Sequence, residues 1–452
     1  MTFTRSRSYS ILIVTLLITV VLLLILAAPV TAVPTTRYVH HAGGMDAGDC
    51  TDSHDPCRTI GYALSQSFQG DDIKVTQGIY EENLVIENNV NLYGGFAAGN
   101  WNQQPSLYGS TIDGQQLGSV IRYEGGFAGV LDGFKITNGK AAQGGGVFSE
   151  LGSPELNHVW ITGNEASDDG GGVYLDGNQP SITNSKLDHN VAADFGGAIY
   201  IVNGAPTLQY LEIKNNTARS GAGMSMHNTG EVKMLNSVLT LNEATSQGGA
   251  INVQDAYLVL EDSMVARNRG DIHGGAMTAE GSQIDIINGL FFKNSTTAAV
   301  ASVLAMSSSK VFVVNSTFAD NDPLGQQAVL QWGADGGYFV KNSIMWNSGP
   351  AYEAIFPPCP SCFIADWSNI QGYGGGTHNI NADPLFRSPE TDDYQLDAAS
   401  PCIDAGTASG GFIAPEYDIA GNPRDSKPDM GAYEYAPPVY KYHGYLPVVT
   451  GE

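Results

Sequence analysis

Apolar and polar positions along this chain alternate in short bursts of three to five residues, each closed by glycine or by an asparagine or aspartate. Val-Tyr-Leu-Asp at 173–176 and Ile-Tyr-Ile-Val at 199–202 typify the bursts. β-Branched and aromatic residues at period two favour strands over helices. The bursts recur at a fixed interval. Asn138, Asn164, Asn190, Asn216, Asn242, Asn268, Asn294, Asn321 and Asn347 follow one another at steps of 26 residues, with a single step of 27. An apolar residue precedes the last eight of them by three positions, from Ile161 to Ile344. Gly-Gly-Gly-Val at 144 and 170, Gly-Gly-Ala-Ile at 196 and 248, and Gly-Gly-Ala-Met at 274 keep the same step. A constant period of this size means stacked repeats, none of which can bury its own apolar face alone.

A leucine-rich horseshoe also stacks one asparagine per turn, and Leu208 to Asn216 could be read that way. The return segment argues against it, because glycine pairs followed by Val-Tyr-Leu or Ile-Tyr-Ile disfavour a helix. A second polar stack, Asn184, Asn236, Asp262, Asn288 and Asn315, lies six residues ahead of the first. Three corners per repeat predict three short strands per coil of about 26 residues. The fold class is therefore all-β, a right-handed single-stranded parallel β-helix. Val173, Ile199 and Ile251 should stack inward, and the corner asparagines should take the left-handed conformation and bond to their neighbours above and below.

The ends are organised differently. Arg5 and Arg7 precede an apolar run from Ile11 to Ala28, then Val30-Thr31-Ala32. Residues 1–32 read as an export signal cut after Ala32, with an uncleaved signal anchor as the rival. Residues 33–117 form an N-terminal cap and first coils, 118–350 the central repeats, and 351–452 a closing segment. Cys50 and Cys57 predict a disulfide in an oxidising compartment. Cys359 and Cys362 have redox spacing without a βαβ context and read as a loop disulfide, which leaves Cys402 free and buried.

Charge limits the partners. With 21 Lys+Arg against 46 Asp+Glu the net charge is 21 − 46 = −25, the wrong sign for nucleic acid. Such a surface also repels anionic polymers unless Ca²⁺ bridges them. Hydrophobic residues make up 42% of the chain, too many for disorder.

Three groups carry candidate chemistry. One coil step places Asp168 and Asp169, Asp194 and Arg219 on one edge in consecutive turns. They would form a Ca²⁺ or sugar site or an acid/base pair, or else a solvated loop edge. Asp46, Asp49, Asp52 and Asp55 surround the presumed Cys50–Cys57 loop as calcium ligands or as a solvated cap. Phe148, Tyr174 and Tyr200 recur at 26 immediately after an inward residue, so alternation turns them outward as an aromatic strip on which sugars could stack. His189, His227 and His273 fall in different phases of the repeat and predict no shared metal site.

The pairing of Gly-Gly-Ala-Ile with Phe291-Phe-Lys-Asn294 and Phe318-Ala-Asp-Asn321 resembles the repeats of polymorphic outer-membrane proteins over about residues 118–350. No terminal run of alternating aromatic strands accompanies it, which speaks against autotransport. Ala382-Asp-Pro-Leu-Phe386, Ser400-Pro-Cys-Ile-Asp-Ala-Gly406 and Pro428-Asp-Met-Gly-Ala-Tyr-Glu434 resemble the closing segment of secreted bacterial β-helix proteins of the choice-of-anchor type. Those proteins lie within the pectin-lyase-like superfamily, and Cys50 to Gly95 resembles their first coils. The resemblance implies an exported module at the cell surface or secreted, binding extracellular polysaccharide or a cell-surface glycan, or adhesive. It leaves open a polysaccharide lyase or glycoside hydrolase and a structural envelope role. Of the hydrolase motifs only Asp168-Asp169 is present.

Overall fold

The computed structural model describes residues 33–107, 109–297, 303–321, 330–332, 336–347, 355–356, 362–409 and 414–436. The expected export signal at 1–32 and Cys359 lie outside the described residues. Among these residues no helix is long and apolar enough to cross a membrane.

The chain winds through three long parallel sheets. The first has thirteen strands, from Thr36–Val39 to Phe363–Asp366. The second has twelve, from Gly78–Glu81 to Asn369–Ile370, and the third eleven, from Leu84–Ile86 to Ile355–Phe356. In the central coils every strand pairs in parallel with the one a repeat later, as in Val173↔Ile199 and Ile161↔Leu187. A fourth row of seven strands, most of them two residues long, follows the asparagine stack, as at Glu165–Ala166. This row was not visible in the sequence, because two residues leave no alternation to read.

Inward residues stack into one continuous core, with Val173, Ile199 and Ile251 fully buried. Two capping devices close the N-terminal end. Cys50 and Cys57 form the expected disulfide, with Cα atoms 5.2 Å apart. A short helix α1 (Ile60–Ser65) sits beneath the first coils, its start capped by the Thr59 side chain. Cys402 is free and buried.

The asparagine stack differs in detail from expectation. Asn164, Asn190, Asn216, Asn242, Asn268, Asn294 and Asn321 are at most 1% exposed. They are absent from the left-handed positions, which fall on the residue before each of them: Gly163, His189, Asn215, Leu241, Arg267, Lys293 and Asp320. The reason is the ladder itself. From Asn190 to Asn321 each Oδ1 accepts from the backbone N–H and the side-chain amide of the asparagine one coil earlier, as between Asn190 and Asn216 at 2.9 and 3.1 Å. The amide must therefore point inward, and its neighbour absorbs the bend, even where that neighbour is a leucine for which αL costs about 1–2 kcal/mol. Asn347 ends the run, accepting from the Asn321 N–H and donating to the Asn321 carbonyl. Asn138 is not a rung. It is exposed at φ 58°, bonds to Asp113, and leaves the buried place to Gly139, whose N–H meets Asn164 Oδ1. The second polar stack does adopt αL, with φ between 46° and 51° from Asn184 to Asn315.

The closing segment folds back along the barrel. Tyr394, Ile419 and Ala432 pack on Ala266, Leu290, Phe292 and Ala319, so residues after 380 roof the outer face of the second sheet in its later coils. Arg424 anchors this roof, with its Nη1 3.0 Å from Glu434 and its Nη2 bonded to Asn288 of the coil beneath.

Candidate functional site

Two outer surfaces gather side chains that could meet a ligand. The first is on the second sheet, in the coils the closing segment leaves open. Here the strands Phe134–Thr137, Trp160–Thr162, Lys186–Asp188 and Glu212–Lys214 lie in register, so Lys135, Trp160, Lys186 and Glu212 form one outward row. The inward partners Ile136, Ile161, Leu187 and Ile213 fix this orientation by burial. Beside the row, the corner residues His158, Asn184 and Tyr210 stand in αL. A loop carrying Gln103 and Pro105 forms one wall. Together they enclose an open trough of about 1060 Å³.

Trp160 and Tyr210 are 40% and 43% exposed in this trough. The Trp160 indole lies between two cations in successive coils: Lys135 Nζ is 4.4 Å and Lys186 Nζ 4.9 Å from its ring centroid. Its N–H donates to Asp188 at 2.9 Å, and Asp188 also pairs with Lys186 at 3.1 Å. Burial would raise the Asp188 carboxyl, but hydrogen bonds from Thr162, Trp160 and Lys186 together hold it below the usual range. Asp132 accepts from Gln103 and Asn157 and meets His158 at 2.9 Å. Sequence reasoning passed over this trough. The signal was present, since Lys135, Trp160 and Lys186 each stand one residue before an inward apolar residue at steps of 25 and 26.

The second surface lies on the third sheet and gathers two groups that the sequence singled out separately. Phe148, Tyr174 and Tyr200 occupy one register row and face outward. Their rings stack at 5.2 and 5.3 Å with interplanar angles of 9° and 25°. The Arg122 guanidinium covers the near end at 4.3 Å from Phe148, and His227 meets Tyr200 edge-on at the far end. The rings are consequently only 7–9% exposed. This corrects the expectation of an open aromatic strip: the coil spacing of about 4.8 Å lets the rings cover one another's faces. Burial pushes the Tyr174 hydroxyl up to about 12 and lowers His227. The His227 Nε2 is 3.3 Å from the Asn252 amide nitrogen, which makes that ring nitrogen an acceptor.

The acidic group borders this stack. Carboxylate oxygens of Asp168, Asp169 and Asp194 come within 4.8 Å of one another. Arg219 Nε bonds to Asp194 and its guanidinium lies 5.1 Å from the Phe195 ring. The Phe195 N–H donates to Asp169 at 3.0 Å. Burial, then the neighbouring Asp168 and Asp194 charges, raise Asp169 to about 6 against that bond. Three carboxylates could offer the hard oxygen ligands Ca²⁺ takes, although Arg219 already occupies one side of Asp194.

The other proposed ligand set does not converge. Asp46 accepts from the backbone of Arg58 and Thr59 ahead of helix α1, Asp49 from Thr51, and Asp52 from His54. The Asp46, Asp49 and Asp52 carboxylates are thus engaged with the local backbone, and the converging carboxylate group among the described residues is the one at Asp168, Asp169 and Asp194. His189 and His273 are separate from His227, the former beside Asp188 and the latter bridging to Gln247.

Comparison with known proteins bears on the scaffold. The family model described as "Right handed beta helix region" matches residues 93–255 and again 171–349. Among solved structures the chain is similar to pectate lyase Pel9A at 14% identity, covering 90% of this chain and 98% of that one with a TM-score of 0.48. A complex of XylC with xylose follows at 9% identity, 89% and 98% coverage and a TM-score of 0.46. A rhamnogalacturonan lyase matches at 10% identity, 81% and 95% coverage and a TM-score of 0.24. No curated protein sequence matches. The two family matches join over the coils that carry the asparagine ladder and span more than half of the sequence, and on that ground the chain belongs to the right-handed β-helix family.

Proposed function

We propose that this protein is an exported β-helix module that binds glycan, at the cell surface or secreted, through the trough on its second sheet. One observation carries the reading. The trough holds two large aromatic side chains, Trp160 and Tyr210, open to solvent beside amide and charged groups, whereas the Phe148–Tyr200 stack is closed on itself. Exposed aromatics with convergent polar groups in a rigid concavity suit oligosaccharides, which present both apolar ring faces and hydroxyls. Export rests on the basic residues and apolar run at 1–32.

The test is retention on an immobilised panel of xylan, dextran, hyaluronan, alginate, polygalacturonate and chondroitin sulfate. The Tyr210→Ala and Tyr174→Ala proteins are compared with the unaltered chain. Loss with Tyr210→Ala alone supports the trough, and equal retention of all three proteins sinks it. Export is tested by sequencing the mature N-terminus, expected at Val33.

A second reading, a polysaccharide hydrolase or lyase, is favoured by the contrast between the raised Asp169 and the Arg219-paired Asp194. A carboxyl raised by burial is suited to donate a proton, and other carboxylates stand beside it. New reducing or unsaturated ends from the same panel, abolished by Asp169→Asn, would select this reading over simple binding.

A further inference from the structure

The open row of the second sheet contains a cation with no acid to answer it. In a chain with more than twice as many acidic as basic residues, Lys135 has no carboxylate within ion-pair distance among the described residues. Its ammonium is held against the Trp160 face instead. The other charges of the trough are spoken for. Lys186 pairs with Asp188 and Glu212 with Lys214 at 2.7 Å, while Asp132 accepts hydrogen bonds from Gln103 and Asn157.

The placement is also specific about what could bind. Because the Lys135 and Lys186 ammonium groups both lie within 5 Å of the indole centroid, a ligand that meets the exposed part of Trp160 meets positive charge beside it. The row therefore presents positive charge framed by an aromatic edge. We infer that the ligand of the trough is an anionic glycan, with a carboxylate or sulfate group taken onto the Lys135 ammonium against Trp160. This rests on the reading of the trough as the binding surface. A cation–π contact holds the ammonium in place and removes part of its hydration, so an arriving anion has less water to displace. The net charge of −25 does not prevent this. Salt confines exposed charges to a range of about 8 Å at physiological ionic strength, so the groups lining the trough decide, not the distant acidic surface.

The experiment uses the full chain, in chelator so that no divalent cation bridges acid to acid. Affinity is measured for hyaluronan, polygalacturonate, chondroitin sulfate and dextran sulfate, and for neutral dextran, xylan and fully methyl-esterified polygalacturonate. The expected result is binding to acidic members, at least about tenfold weaker binding to neutral ones, and a decline with added salt. Lys135→Gln should lose about tenfold. Lys135→Arg should keep most of the binding, which separates lost charge from a folding defect. Lys233→Gln, an exposed lysine on the first sheet, should stay within about twofold. Binding to hyaluronan and polygalacturonate but not to dextran sulfate identifies the carboxylate, and binding to dextran sulfate but not to hyaluronan or polygalacturonate identifies the sulfate. Binding to neutral members only, or equal losses in Lys135→Gln and Lys233→Gln, overturns this inference while leaving glycan binding standing. Retention of nothing on the panel overturns both.

Discussion

Asn190 Oδ1 accepts from both the backbone N–H and the side-chain amide of Asn164, 26 residues earlier, at 3.2 and 3.1 Å. Its own amide donates to the Ile161 carbonyl at 2.9 Å and to Asn216 at 3.1 Å, so one buried side chain completes the hydrogen bonding of three coils. Nothing but an asparagine offers an acceptor and two donors in a plane of this size.

Asn190→Ala should therefore leave buried donors and an acceptor unmet and lower stability by about 3 kcal/mol. Asn138→Ala, at an exposed position outside the ladder, should cost less than about 0.5 kcal/mol. Urea unfolding of the two variants measures the contrast. Equal losses would mean that the sequence period, rather than the buried ladder, marks the important asparagines.

Asp169 gives the acidic edge a predictable pH signature. Its carboxyl is raised from 3.8 to about 6 in the folded protein, so the folded state binds its proton more tightly than the unfolded one. The destabilisation it contributes is absent below pH 3.8, grows as pH rises through the interval, and is complete above about 6. Asp169→Asn should accordingly gain in urea midpoint at pH 7.5 and not at pH 3.5, because an amide oxygen can still accept from the Phe195 N–H. A gain of the same size at both pH values would count against the shift.

The roof over the later coils depends on Arg424. Its side chain is 2% exposed, pairs with Glu434, and bonds to Asn288 and to the carbonyls of Gly431 and Ala432. Arg424→Ala should strand a buried carboxylate and cost about 3–5 kcal/mol. The loss should first release the closing segment, so limited proteolysis should cut within 383–436 while the coils before 240 stay protected. Simultaneous digestion of the whole chain would show that the roof and the coils unfold as one unit.

Reducing Cys50–Cys57 removes a short closed loop of the N-terminal cap. The constraint on a loop of this size is worth about 2 kcal/mol. The urea midpoint should fall on adding reductant, and it should fall by less in the Cys50→Ser, Cys57→Ser double variant, which starts without this bridge. A midpoint indifferent to reductant would show that the cap holds through helix α1 and its packing alone.

The 26-residue period, the inward apolar positions and the nearby cysteine pair were legible in the sequence, because each is a local pattern repeated many times. Stacking makes a residue's neighbours those one period away, so Asp168, Asp169 and Asp194 could be placed together from spacing alone. Exposure could not. Phe148, Tyr174 and Tyr200 face outward as alternation requires, yet their faces are consumed by one another and by Arg122 and His227. Trp160 occupies the equivalent outward place on the second sheet and stays open, since only lysines flank it. Which stretch of that sheet remains uncovered was settled by residues more than a hundred positions away in sequence, where Tyr394, Ile419 and Ala432 lie across the later coils. The coil follows from local preferences, because each repeat meets nearly identical neighbours. The open surface follows from long-range packing, because exposure depends on what else in the chain comes to rest there.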